Sequence, residues 1–278
     1  MNVVFLDSGV GGIPYLLSLK EKNPSCTCAY LADTLHFPYG EKSSAEIIEF
    51  AREAVSKIET NFHPDVLVIA CNTISVSALV ELRKQFPKQI FVGTVPAIKK
   101  ASEVTKNKRI GLLATNATVN DSYLKKLIAD FANDCTIVNR GDADLVSFIE
   151  HKFCSASECE IEEAITPALD FFARENCDTI VLGCTHFTHL ADVMQKKAGS
   201  AISIVDSRDG VARHALSLLA EKRNVSDNIF SVAADFLSDV HDTSFFVTGF
   251  PSNDAQSEQI YRAFCSRFHL KYCGIIDN

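Results

Sequence analysis

The sequence lacks any long apolar run, and no stretch approaches the length that a bilayer span needs, so a transmembrane helix is excluded. It is also short of positive charge. Against 35 Asp and Glu stand 27 Lys and Arg, a formal net charge of −8, and no stripe of clustered Lys or Arg offers the footprint that a phosphate backbone demands. Nucleic acid is set aside as a main ligand. The opening MNVVFLDSGVGG has no basic segment, and its apolar run stops at Asp7 after four residues, unlike a secretory signal. Ten cysteines include no CxxC pair, and Cys26-Thr27-Cys28 is too tight for a zinc knuckle; with no secretion signal they are expected to be reduced thiols. The expected setting is the cytoplasm.

What is present is an ordinary globular composition, 47% hydrophobic and 22% charged, in 278 residues, enough for two domains with sizeable cores. Short runs rich in Val, Ile and Leu alternate with stretches of helical period, the pattern of parallel sheets covered by helices. Strands are expected at Val3–Leu6, Cys28–Ala32, Val66–Ala70, Ile90–Gly93, Arg109–Ala114, Thr136–Asn139, Thr179–Gly183, Ile202–Val205, Phe245–Thr248 and Lys271–Ile276. Helices are expected over Ser43–Asn61, Val119–Phe131, Ile161–Asn176 and Arg208–Arg223. The polar stretch from Val225 to Asp242 has no clear period and reads as a surface insertion.

An internal echo organises the chain. DVLVIACNT (65 to 73) and DTIVLGCTH (178 to 186) share an Asp, a strand-forming run, a small residue, a Cys and two polar residues. Upstream of each, an apolar strand ends in small polar residues, VVFLDSG at 3 to 9 and IGLLATNAT at 110 to 118. Two similar α/β units in tandem account for this, with crossings at VGTVPAIKKA (92 to 101) and near Ser207. The C-terminal strand–helix–strand is too small to stand alone and is expected to join the first unit. The expected domains are 1–95 plus 208–278, and 96–207.

In open parallel sheets ligands bind at the carboxyl ends of strands, where loops lead into helix N-termini. Four such ends carry polar residues: Asp7-Ser8, Cys71-Asn72-Thr73, Thr115 to Thr118, and Cys184-Thr185-His186. A cysteine there sits at the positive end of a helix dipole, which favours thiolate, so Cys71 and Cys184 are candidate bases or nucleophiles. A lone strand-end Cys is more often core packing; two at matching positions of a repeat reverse that weighting. Asn and Thr side chains with helix-terminal N–H groups suit a carboxylate, and Asp7 suits an ammonium group, although Asp7-Ser8 could also serve as a simple helix cap. DSGVGG is glycine-rich but fits neither GxGxxG nor the Walker pattern. His186 and His189, three apart, could share a helix face, but no third ligand stands at metal spacing, so no metal is expected and His189 reads as a surface or packing residue.

The motifs DSGVGG (7 to 12), PYGEKS (38 to 43), ACNT (70 to 73), VPAIK (95 to 99), GCTH (183 to 186) and FFVTGFP (245 to 251), in this order, resemble those of the glutamate racemases of the aspartate/glutamate racemase superfamily. The resemblance covers most of the chain. It implies two flavodoxin-like α/β domains with parallel sheets flanked by helices, related by a pseudo-two-fold axis, with the active site in the cleft between them. It further implies cofactor-independent racemisation of glutamate, supplying D-glutamate for bacterial peptidoglycan, by a homodimer. By the same match Cys71 and Cys184 are opposed acid/base thiols, assisted by Asp7 and His186 respectively. Ser8, Tyr39, Gly40, Asn72, Thr73, Thr118 and Thr185 would hold substrate with them, and Glu150 would match a family carboxylate. The tail Phe187-Thr188-His189 departs from the family's usual aromatic-Pro-Leu, and Arg208 and Asp209 stand where smaller or uncharged residues are common.

The chemistry suits such a reaction. Racemisation needs one group to take the α-proton from one face and another to deliver a proton to the opposite face. In each direction one thiol must be charged and the other neutral. The alternatives are an aspartate or other amino-acid racemase of the same superfamily, and a non-catalytic amino-acid-binding protein, which would have no need of either thiol.

Overall fold

Strands that are apolar on both faces are stable only when helices cover both faces, and the central strands of this chain are of that kind. The computed structural model describes residues 1–227, 243–250 and 255–277. It contains two parallel sheets. The first joins β1 (Val3–Asp7), β2 (Cys28–Ala32), β3 (Val66–Ile69) and β4 (Phe91–Gly93); the second joins β5 (Arg109–Ala114), β6 (Thr136–Gly141), β7 (Thr179–Leu182) and β8 (Ser203–Val205). The chain then returns to the first sheet with β9 (Ser244–Val247) and β10 (Lys271–Ile275). The orders are β10-β9-β2-β1-β3-β4 and β6-β5-β7-β8.

The two orders contain the same four-strand arrangement, β2-β1-β3-β4 and β6-β5-β7-β8, so the sequence echo is an echo of topology. DVLVI and DTIVL supply the third strand of each unit, and VVFLD and RIGLLA the first.

Helices α1 (Ile13–Lys22), α2 (Ser44–Phe62) and α3 (Asn72–Gln85) belong to the first unit. The second contributes α4 (Ile98–Val104), α5 (Asn116–Asn120), α6 (Ser122–Phe131), α7 (Ala143–Lys152), α8 (Glu158–Arg174) and α9 (Ala191–Ala198). Two more follow, α10 (Arg208–Asp227) and α11 (Ala255–Arg267). Local chemistry sets several starts. Ser43 with Glu46, and Ser157 with Glu160, form reciprocal caps that satisfy the free N–H groups at the first turns of α2 and α8.

The expected single helix over Val119–Phe131 is divided: Asp121 is extended and its carboxylate accepts from the Tyr123 N–H at 2.7 Å, ending α5 and capping α6. Residues 225–227 of the expected insertion are helical; the remainder of that segment, 228–242, lies outside the described residues.

Strand alternation sorts the core. On β1, Val3 and Phe5 point into one apolar cluster while Val4 and Leu6 enter another, covered by α2 and α3. The first cluster is shared by the two units, running from Val3 and Phe5 through Ile149 and Phe172 to Leu182 and Phe245. A third, with Ile98, Leu112 and Leu124, covers the far face of the second sheet. Burial of this common core holds the carboxyl ends of both sheets against each other. Among the described residues no helix is long and apolar enough to cross a membrane.

Candidate active site

Both sheets deliver their strand ends to one cavity of about 430 Å³, a size suited to a small metabolite. Cys71 and Cys184 both line it, with Ser8, Tyr39, Gly40, Asn72, Thr73, Thr185 and His186. Three residues expected at the site, Asp7, Thr118 and Glu150, are fully buried behind this lining. Thr118 meets the hydroxyls of Thr73 and Thr115 at 3.5 and 3.1 Å, and Thr115 lines the cavity in its place.

On the first side, Asp7 ends β1 and accepts from the Ser8 N–H at 2.6 Å and the Ser8 hydroxyl at 3.1 Å through Oδ1; among the described residues its Oδ2 has no hydrogen-bond partner. The Cys71 thiol lies 3.9 Å from the Ser8 hydroxyl. Cys71 caps α3, as the sequence leads one to expect, but its thiol is not made acidic. Burial pushes its pKa up, the neighbouring Asp7 charge pushes it further, and a backbone hydrogen bond from Ile74 only partly offsets them. Cys71 rests as a neutral thiol. Among the described residues neither side-chain atom of the Asn72 amide has a hydrogen-bond partner, and Asn72 faces the cavity. Tyr39 is held by Asp33, to which its hydroxyl donates; Asp33 also accepts from Thr248 at 2.6 Å.

The second side is a buried relay. Cys184 Sγ lies 3.8 Å from His186 Nδ1, and His186 Nε2 donates to Glu150 Oε2 at 2.8 Å. Burial alone would lower the pKa of His186, but hydrogen bonds and charge from Cys184 and Glu150 raise it well above the usual value. Burial would likewise raise Glu150, but His186, Tyr261 and the Val10 N–H outweigh it and hold the carboxyl below its usual range. Unlike Cys71, Cys184 does not lead into an α-helix: a 3-10 turn, His186–Leu190, precedes α9, and the imidazole takes the place of the expected dipole.

The paired shifts carry a pH signature. A carboxylate with a lowered native pKa stabilises above its unfolded value and loses that as pH falls through the native one; a histidine with a raised native pKa stabilises below its unfolded value and loses that as pH rises. With unfolded values of about 4.3 and 6.5, the pair contributes most between them. The Tm gap between the native protein and Glu150→Gln is therefore expected to be widest in that window. Thermal melts across pH check it; a gap that kept widening above the histidine's unfolded value would contradict the assignment.

The glycines of DSGVGG have a role that sequence alone did not supply. A Cβ at Gly9 would stand 2.6 Å from Glu150 Oε1, and one at Gly11 would stand 2.5 Å from Thr185 Oγ1 and 2.6 Å from His186 Nδ1. This loop is bare so that the first unit can touch the relay of the second.

His189 is a half-buried packing residue. Its ring lies against Phe153, Phe264 and Phe268, its Nε2 donates to the Val10 carbonyl at 2.9 Å, and burial lowers its pKa to about 3, so it stays neutral. Phe187 and Thr188 of the same tail are buried. Arg208 pairs with Asp206 at 2.8 Å and Asp209 with Lys22 at 2.5 Å, which gives both charges structural partners outside the cavity. Sequence reasoning missed Phe37, His151, Phe250 and Tyr261 of the lining. His151 adjoins Glu150 in sequence and Phe250 lies within the FFVTGFP motif, both usable signals; Tyr261 comes from the C-terminal return and had none.

Comparison with known proteins agrees with this geometry. The Asp/Glu/hydantoin racemase family model matches residues 18–215. A glutamate racemase of Treponema pallidum (strain Nichols) is 36% identical over 273 residues, covering 98% of this chain and 96% of the relative. One from Glaesserella parasuis serovar 5 is 38% identical, over 81% of this chain and 84% of its own. The crystal structure of Escherichia coli glutamate racemase, in complex with L-glutamate and the activator UDP-MurNAc-Ala, superposes with a TM-score of 0.80 at 31% identity, over 99% of this chain and 98% of that one. With its paired parallel sheets and two thiols on one cavity, the chain belongs to the Asp/Glu/hydantoin racemase family.

Proposed function

We propose that this chain interconverts L- and D-glutamate without a cofactor, with Cys71 and Cys184 as the acid and base on opposite faces of Cα. The observation that carries the reading is that the two thiols follow corresponding strands, β3 and β7, of two like units and line the same cavity. The glutamate preference rests on the relatives, which are glutamate racemases at 36 to 38% identity.

Burial keeps Cys71 a neutral thiol until it acts, and His186 stands beside Cys184 to exchange a proton with it. Cys184 removes the α-proton; the electron pair passes onto Cα and the substrate carboxylate; Cys71 delivers its proton to the opposite face. The reverse assignment serves the other enantiomer. Asn72, Thr73 and Thr185 offer donors to the carboxylate on which charge develops, and the buried Asp7 accepts from the ammonium group or assists Cys71. Tyr39 and Gly40 border the remainder of the substrate. The domains divide as 1–95 plus 208–278 and 96–207, and their closure on substrate excludes water. The product D-glutamate serves the bacterial cell wall, and the active form is a homodimer, an oligomeric state that light scattering measures.

Purified protein incubated with L- or D-glutamate and no added cofactor is expected to bring either enantiomer to a racemic mixture, read by circular dichroism. Faster turnover of aspartate would move the assignment to an aspartate racemase; no change with either would leave an amino-acid-binding protein.

A further inference from the structure

The buried relay does not end at Glu150. Glu150 is 0% exposed, and each of its oxygens is engaged: Oε2 with His186 Nε2 and the Val10 N–H at 2.8 and 3.0 Å, Oε1 with the Tyr261 hydroxyl at 2.7 Å. His186 and Glu150 belong to the second unit, whereas Val10 follows β1 and Tyr261 lies on α11 beside β9, in the first. The Tyr261 ring is fixed by Phe245 and Phe250, with centroids at 6.3 and 5.7 Å. A hydroxyl carried on so constrained a ring donates in one direction, and hydrogen bonds to an ionised carboxylate are the strong ones.

We infer that Tyr261 is a positioning residue for the Cys184 half of the reaction: from the first unit it holds Glu150 ionised and oriented, and through Glu150 it holds His186 beside Cys184. The inference rests on the two-thiol reading and names the residue that makes one of its halves depend on contact between the units. The two thiols are thus supported differently. Cys71 is served within its own unit by Asp7 and Ser8, while Cys184 is served through a chain that the other unit completes.

The ionisable groups around this chain are few. Glu150 faces His186 and Tyr261 directly, with Asp7, Tyr30 and His189 close enough to feel its charge; Tyr261 faces Glu150 and, more distantly, Tyr272. His189 is neutral and the Tyr30 phenol is pushed well above its usual range, so neither replaces the bond that Tyr261 supplies.

Overall racemisation cannot isolate one half, because both enantiomers pass both thiols. Elimination can. With D- and L-3-chloroglutamate of matched configuration at Cβ, a single thiolate takes the α-proton, the Cα–H electron pair becomes the Cα–Cβ double bond, and chloride leaves. Water then converts the enamine to 2-oxoglutarate and ammonia. Cys71→Ala and Cys184→Ala, each in otherwise unaltered protein, identify which enantiomer reports on which thiol.

Tyr261→Phe, which keeps the ring and removes the hydroxyl, is expected to lower the ratio of Cys184-reported to Cys71-reported elimination about tenfold, as loss of a hydrogen bond to a buried charge implies. Glu150→Gln is expected to move the ratio the same way, and Tyr261→Phe added to it to move it little further, because the two act in series. An unchanged ratio, or a full second loss in the double variant, would overturn the role of Tyr261. If neither cysteine variant separated the enantiomers, the two-thiol reading itself would fall, and the Tyr261 inference with it.

Discussion

Replacing either Cys71 or Cys184 by alanine is expected to lower glutamate racemisation by about 10⁴-fold, the upper end of what a positioned acid or base contributes. The loss follows from the stereochemistry. With one thiol gone, a proton can leave from or return to only one face, so the remaining thiol exchanges a single enantiomer with solvent and forms no mirror image. Both variants should fold, since alanine fills most of the volume of a thiol that makes a single long side-chain contact. The signature is the pairing of lost racemisation with retained one-enantiomer exchange, read by chiral chromatography and by mass. Racemisation near the native rate in either variant would remove that cysteine from the chemistry.

A second large effect is expected where no functional group is touched. In Gly11→Ala the new Cβ would meet Thr185 Oγ1 at 2.5 Å, His186 Nδ1 at 2.6 Å and the His186 backbone nitrogen at 2.8 Å. The side-chain atoms could give way, but the backbone nitrogen is anchored by the turn after β7, so the loop itself must shift. A displacement near an ångström between acid–base groups and substrate costs about a hundredfold in rate, and a fall of that order in kcat is expected. The fold has reason to survive, because β1 and β3 lie outside the clash. Steady-state kinetics alongside a thermal melt separate the two effects. Native kcat in Gly11→Ala would show that the loop and His186 need not be in contact.

Much of this architecture was legible because parallel strands covered on both faces must be apolar throughout, and runs such as Val66–Ile69 and Thr179–Leu182 with polar punctuation leave few alternatives. The echo of DVLVIACNT in DTIVLGCTH was legible for the same reason, and it pointed at both thiols before their neighbours were known. The protonation of Cys71 was not legible: helix position predicts a more acidic thiol, but burial and the Asp7 charge act through space and raise it. Nor were the surroundings of Cys184, which meets a 3-10 turn and an imidazole where a helix start was expected.

Glu150 could be placed only by resemblance, since nothing in LVSFIEHKF marks a carboxylate that will be gripped by Val10, His186 and Tyr261, residues 140, 36 and 111 positions away. Tyr261 had no signal at all. It becomes meaningful only when the C-terminal return joins the first sheet and brings α11 over the second unit's relay.

The central claim is that two thiols act on opposite faces, and the partition of solvent deuterium reads it most directly. Each pure enantiomer of glutamate is incubated with enzyme in D₂O and sampled before equilibrium. With two bases, the proton taken by one thiol is not the one returned by the other, so newly formed product should carry deuterium at Cα while recovered substrate keeps its protium, from either starting enantiomer. Substrate that gains deuterium as fast as product forms, or product that retains the substrate's own proton, would mean that one group serves both faces and would contradict the account.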